Sequence, residues 1–174
     1  MHIRPLLPRD WDDVSAILVG SLGPGALDDE PPTWDQFNDR YLPGHRLVAA
    51  SREGRITGWA ALEAVSPRRA FSGVAAVSVF VDAAYRGQGF GRHLLSNLIT
   101  ASEEAGFWTL EACILATNTA AAHLFEDLGF RTVGRQERLV QVDGAWHDTV
   151  LLEHRSAVVF PEAAPPTQEI PEAS

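Results

Sequence analysis

The chain has 174 residues, enough for one domain with a substantial core, and its apolar fraction of 45% against a charged fraction of 21% excludes a disordered or fibrous protein. A net charge of −9, with every cation an arginine and no lysine, argues against a nucleic-acid partner and removes Schiff-base chemistry and a P-loop lysine. One cysteine excludes an intramolecular disulfide framework, the six histidines show no metal spacing, and no apolar run nears the ~20 residues of a membrane span.

The opening MHIRPLLPRD is broken by Pro5 and Pro8 and lacks the apolar stretch of a secretory leader, so a cytoplasmic location is expected. IRPL (3–6) reads as a short strand. From Asp10 to Leu22, Val14, Ile17, Leu18 and Leu22 recur at helical spacing and run into the breaker GPG. An acidic, proline-bearing loop, ALDDEPP (26–32), leads to Thr33, which suits the N-cap of a short helix WDQFNDRYL that stops before Pro43-Gly44.

RLVAAS (46–51) and RITGWAALEAV (55–65) read as strands joined at Glu53-Gly54, and VAAVSVFVD (74–82) as a central strand. A glycine-rich turn follows, then a helix from Gly89 to Ala105 with Phe90, Leu94, Leu95, Leu98 and Ile99 on one stripe. WTLEACILA (108–116) is expected as a buried strand, Cys113 included. A helix runs from Asn118 to the C-cap glycine Gly129, and residues 130–155 form a hairpin turning at Asp143-Gly144. These elements predict a mixed α/β (α+β) domain around one sheet over residues 1–158. Residues 159–174 form a tail whose Pro, Glu, Ala and Thr content is that of a disordered segment.

The chemistry is concentrated in VFVDAAYRGQGFGRHLL. A strand entering a glycine-rich turn at a helix N-terminus aims several backbone N–H groups at one spot, and the helix dipole adds positive potential there. Gly87, Gly89 and Gly91 let the backbone approach an anion, while Arg86 and Arg92 flank it. A glycine-rich turn before a helix is also an ordinary structural device, the lesser of the two readings. Its GxGxG spacing after a fourth strand, instead of GxGxxG after an early one, disfavours a dinucleotide.

RGQGFGRHLL and NTAAAHLFEDLGF (118–130), taken together, resemble the GCN5-related N-acetyltransferase (GNAT) superfamily. Arg86, Gly89 and Gly91 match its pyrophosphate loop, and Asn118, Ala121, Leu124 and Gly129-Phe130 match its second motif. The resemblance implies a mostly antiparallel mixed sheet splayed between strands four and five, flanked by about four helices, with acetyl-CoA as co-substrate and no metal. The cofactor would pair with the backbone of Val79, Phe80 and Val81, its pyrophosphate with Arg86, Gly87, Gln88, Gly89, Phe90, Gly91 and Arg92, and its arm with Asn118. The backbone N–H groups of Val79 and Val81 are the implied oxyanion donors.

Within the superfamily, PRRAFSGVAAVSVFVD, ALDDEPPT and the WHD at 146–148 look like the phosphinothricin and methionine sulfoximine N-acetyltransferases. That narrower likeness implies a homodimer and a small amino-acid acceptor held by Arg68, Arg69, Phe71, Glu30 and Trp146; with no activated nucleophile evident, direct attack in a ternary complex is expected, and the charge and apolar runs predict neither a nucleic-acid nor a membrane partner. Two positions depart from the pattern: Ala76 stands where these enzymes carry a glutamate near the start of strand four, and Phe125 where a thiolate-protonating tyrosine is common. His147 is a candidate base by its intrinsic pKa, or else a hairpin residue packed beside Trp146. Asp28, Asp29 and Glu30 could supply a carboxylate through water. Another small amine or a protein N-terminus is the alternative acceptor, and a CoA-binding module with little catalysis the alternative of another class.

Overall fold

The computed structural model describes residues 1–22, 31–142 and 144–159. A seven-stranded sheet in the order β1-β2-β3-β4-β5-β7-β6 forms its centre. The strands are β1 His2–Pro5, β2 Tyr41–Ala50, β3 Ile56–Ala64, β4 Val74–Val81, β5 Thr109–Leu115, β6 Arg131–Val142 and β7 Ala145–Arg155. Every neighbouring pair is antiparallel except β4 and β5. Among the described residues four α-helices accompany it: α1 Trp11–Leu22, α2 Trp34–Arg40, α3 Phe90–Glu104 and α4 Thr119–Glu126. No helix among the described residues is long and apolar enough to cross a membrane.

Local rules place most boundaries. Thr33 caps α2 through a reciprocal box, with Thr33 Oγ1 accepting from the Gln36 N–H and Gln36 Oε1 accepting from the Thr33 N–H. Gly129, at φ +85°, follows α4 in the left-handed conformation that favours glycine. The sequence misplaces the start of β2, because Pro43-Gly44 reads as a loop. The strand begins at Tyr41, and the register jumps from Tyr41↔Glu63 to Arg46↔Ala61, so the proline and glycine sit inside a wide bulge. Arg46 fills it, donating to the Asn38 side chain and to the carbonyls of Asn38 and Tyr41.

Two apolar layers cover the sheet unequally. On one face, Leu94, Leu95 and Leu98 of α3 and Phe125 of α4 pack on Ala60, Leu62, Ala75, Val77, Leu110, Ala112 and Leu152, a layer reaching from β3 to β7. On the other, Val14, Ile17 and Leu18 of α1 and Phe37 of α2 pack on Val48, Trp59 and Ala61, with Phe80 at the margin. No residue of β5, β6 or β7 joins that second layer. At the amino end, Asp10 is buried and accepts two hydrogen bonds from Arg4 at 2.7 Å and one from the Leu7 N–H at 2.8 Å. The Arg4 guanidinium holds its carboxyl below the usual carboxylate range. The expected tail over 159–174 lies, but for Val159, outside the described residues.

Candidate active site between two diverging strands

The parallel pair β4–β5 is joined at Val74↔Thr109, Ala75↔Leu110 and Ala76↔Glu111 and no further. β4 continues beside β3 to Val81↔Gly58, and β5 beside β7 to Leu115↔Thr149. A gap therefore opens through the sheet from Ala76 and Glu111 onward. Gly73 makes the seam at its closed end: its carbonyl accepts from the Trp108 and Thr109 N–H groups at 2.8 and 3.1 Å, and a Cβ there would overlap the Trp108 ring.

Backbone groups along a strand point alternately to its two neighbours. The Gly73 carbonyl faces β5, while the Asp82 N–H donates to Thr57 on β3 at 2.9 Å. Alternation then aims the N–H and C=O of Val77, Val79 and Val81 into the gap, and those of Phe80 at β3. Phe80 belongs instead to the packing, its ring 4.8 Å from that of Trp59. The sequence expectation grouped Phe80 with the valines because it cannot tell which edge of a strand is left unpaired.

The open end of the gap meets the glycine turn. Asp82 caps a 3-10 turn over Ala83–Tyr85 by accepting the Ala84 N–H at 2.8 Å. Gly87 and Gly89 follow at φ +72° and +84°, with Gly89 at the N-cap of α3. The first-turn N–H groups of α3 have no intrahelical acceptor and point outward, as an anion cradle requires. Gly91 lets α4 come close, since a Cβ there would stand 3.3 Å from Leu124. The flanking side chains brace the turn: Arg86 donates to the Val81 carbonyl and to Ser21, Gln88 to the Ala84 carbonyl, and Arg92 pairs with Asp127 at 2.9 Å.

On the opposite lip, Asn118 is the N-cap of α4, its Oδ1 accepting the Ala121 N–H at 3.0 Å. That bond leaves the side-chain NH2 for a ligand. Phe125 is buried against Phe130, ring centroids 4.8 Å apart, so its position is one of packing. Cys113 is exposed, against the expectation of a buried strand residue. The LEACIL run is apolar, but only the side of β5 bearing Leu110 and Ala112 is covered.

The expected acceptor residues fall into two groups that one chain does not bring together. Arg68, Arg69 and Phe71 are exposed on the link into β4, at the closed end of the gap. Trp146, 60% exposed, and His147, half-buried, lie on β7 beyond the end of β5, past the open end. Glu30 lies outside the described residues, as do Asp28 and Asp29. Among the described residues no cluster of His, Cys, Asp or Glu could hold a metal ion.

Two features escaped the sequence reading. The Tyr41 and Ser78 hydroxyls are hydrogen-bonded at 3.1 Å, brought together across β3, and burial raises the Tyr41 pKa, which favours its neutral form. The Asp148 of WHD is structural: it accepts from the Arg138 N–H at 2.8 Å and from Arg135 at 2.6 and 2.8 Å. It thereby pins the irregularity in β6 between Gln136 and Val140, where Arg138 adopts φ +49°.

Residues 11–130 match the model of the acetyltransferase (GNAT) family. An L-methionine sulfoximine/L-methionine sulfone acetyltransferase of Pseudomonas aeruginosa is 32% identical over 118 residues, 67% of this chain and 69% of that protein. A phosphinothricin N-acetyltransferase of Alcaligenes faecalis is 29% identical over 158 residues, 87% of this chain and 80% of its own. Among solved structures, the acetyltransferase yncA of Salmonella typhimurium with its cofactor acetyl-CoA superposes with a TM-score of 0.80 at 25% identity, covering 96% of this chain and 98% of that one. The sheet splayed at β4–β5 and the glycine turn at its mouth thus have both a family and a cofactor behind them: the chain belongs to the acetyltransferase (GNAT) family and uses acetyl-CoA.

Proposed function

We propose that this enzyme acetylates the α-amine of a small amino acid or amino-acid analogue of the methionine sulfoximine and phosphinothricin type. The observation that carries the reading is the gap that opens where the β4–β5 pairing stops. On the α3 side it ends at an anion cradle, and at its closed end stand two arginines, Arg68 and Arg69, with no ion pair among the described residues. The cradle over Arg86, Gly87, Gln88, Gly89, Phe90, Gly91 and Arg92 holds the pyrophosphate, and the Asn118 amide bonds the arm. The N–H groups of Val79 and Val81 polarise the thioester carbonyl, a contribution that preorganised donors make without reorganising. Arg68 and Arg69 attract the acceptor's carboxylate or phosphinate as charge-assisted donors.

The amine attacks the thioester directly in a ternary complex. Exposed Val133, Leu139 and Trp146 on the terminal hairpin support a homodimer, in which Trp146 and His147 of one copy reach the acceptor end of the other. A second acceptor class, another small amine or a protein N-terminus, is favoured by Ala76, which departs from the relatives' amino-acid site.

The test is thiol release from acetyl-CoA over amino acids, sulfoximines, polyamines and peptides. Turnover greatest with L-methionine sulfoximine or phosphinothricin, intersecting initial-velocity lines and an unimpaired Cys113→Ser variant are the expected results. Turnover confined to polyamines or peptides would transfer the assignment to the second class, and parallel lines abolished by Cys113→Ser would replace direct attack with an acyl-cysteine route.

A further inference from the structure

An acceptor amine reaches the enzyme as an ammonium and must lose a proton before it attacks, yet Ala76 offers no acceptor for it. Strand register answers the deficit. Ala76 is paired with Glu63 on β3 and with Glu111 on β5, and Glu111 with Glu153 on β7. Register partners carry their side chains on the same face, so Glu63, Ala76, Glu111 and Glu153 make one transverse row. The row lies on the face away from α3, because Ala75, Leu110 and Leu152, one position along on β4, β5 and β7, all belong to the α3 layer.

Direction of access makes that face the relevant one. The anion cradle stands at the α3 end of the gap, so an acceptor meets the thioester from the opposite side. There the alanine leaves a space between two carboxylates, and only one of them is uncommitted. Glu63 is held by Arg40 at 2.9 Å and Glu153 by Arg131. Glu111 is half-buried and stands where the β4–β5 pairing ends, and its side chain has neither an ion pair nor a hydrogen-bond partner among the described residues. His147 is six positions along β7 from Glu153, about 20 Å at ~3.3 Å per residue, and cannot serve the same point within one chain.

We propose that Glu111 supplies from β5 the carboxylate that β4 lacks, resting on the N-acetyltransferase reading given above. The Glu111 carboxylate holds the acceptor's ammonium at the closed end of the gap and takes one N–H proton, directly or through one water. The freed lone pair forms the C–N bond as the C–S bond breaks. The second proton lost from nitrogen ends on the CoA sulfur, and Glu111 returns its own to solvent. Arg68 and Arg69 stand near enough along the chain to meet the acceptor's acidic group while Glu111 meets its amine.

The experiment compares the full chain with Glu111→Gln, Glu63→Gln and Glu111→Gln combined with Ala76→Glu, following kcat/KM for L-methionine sulfoximine from about pH 7 to about pH 9.5. Glu111→Gln is expected to lose about 10²–10⁴-fold near neutrality. The loss should shrink as pH rises and solvent supplies the free amine, and Ala76→Glu should recover activity in the double variant. The acetyl-CoA-induced rise in Tm should be unchanged, which certifies the fold; if Glu111→Gln does not fold, Glu111→Thr replaces it. An unchanged profile, a loss equal at every pH, or the same pH-dependent loss in Glu63→Gln alone overturns the assignment of Glu111 while leaving the transferase reading intact. A wild-type chain that releases no CoA with any amine overturns both.

Discussion

Strands β3 and β6 belong to one sheet and could hardly be more different. In β3, seven consecutive residues from Ile56 to Leu62 are buried, with Trp59 fully enclosed between α1, α2 and its neighbours. In β6 no residue is fully buried, and Val133 and Leu139 lie 46% and 48% exposed. The amino-terminal half is covered on both faces and carries the stability. The carboxy-terminal half is covered on one, and in the proposed reading its bare face is the side on which an acceptor is met. Stability and function are thus separated along the sheet, and the gap lies at the border.

That division can be broken at its strongest point first. Trp59→Ala should cost about 3–5 kcal/mol in chemical denaturation, the range for emptying a large aromatic site. Next comes the Arg4–Asp10 pair, where Asp10→Asn should cost about 1–3 kcal/mol at neutral pH. The sign on pH follows from the direction of the shift. Asp10 titrates lower when folded, so its stabilisation is complete above the usual carboxylate pKa of about 3.9 and is lost as pH falls through the folded value. The variant should therefore show a flatter acid limb, measured as Tm against pH.

At the border, Gly89→Ala forces a side chain into φ +84°, with about 1–2 kcal/mol of destabilisation. Its larger effect should be on acetyl-CoA, weakened about tenfold or more by a displaced backbone donor and read by calorimetric titration. Smallest in stability are Val133→Ser and Leu139→Ser, each within about 0.5 kcal/mol. If the terminal hairpin joins two copies, both should shift the sedimentation profile toward the monomer. A Trp59 variant that unfolds no more easily than the Leu139 variant would dissolve the contrast.

What the sequence disclosed follows the same border. Glycines, caps and helical stripes act locally, so the turn at Gly87–Gly91, the Thr33 cap and the Leu94–Leu98 stripe are legible in the sequence. The missing glutamate was legible too, as Ala76. The groups beside it were not, because Glu63 and Glu111 reach that position only through the register of three strands, and Ser78 meets Tyr41 across 37 residues. Cys113 was misjudged for a related reason: periodicity reports that a strand is apolar, not that a layer stops short of it. The β2 bulge was hidden by Pro43-Gly44, whose local meaning is a turn unless a buried arginine fills the space.

The seam at Gly73 has a mechanical consequence. Between β4 and β5 the sheet is held by a few hydrogen bonds at one end, with Gly73 as the pivot. The sheet there is built as two leaves meeting along a short seam, which the α3 layer also bridges. A cofactor arm laid along Val77, Val79 and Val81 would occupy the place of a missing strand and couple the leaves. Amide hydrogen exchange along the inner edges of β4 and β5 should then slow on adding acetyl-CoA, more than at the outer strands β1 and β6.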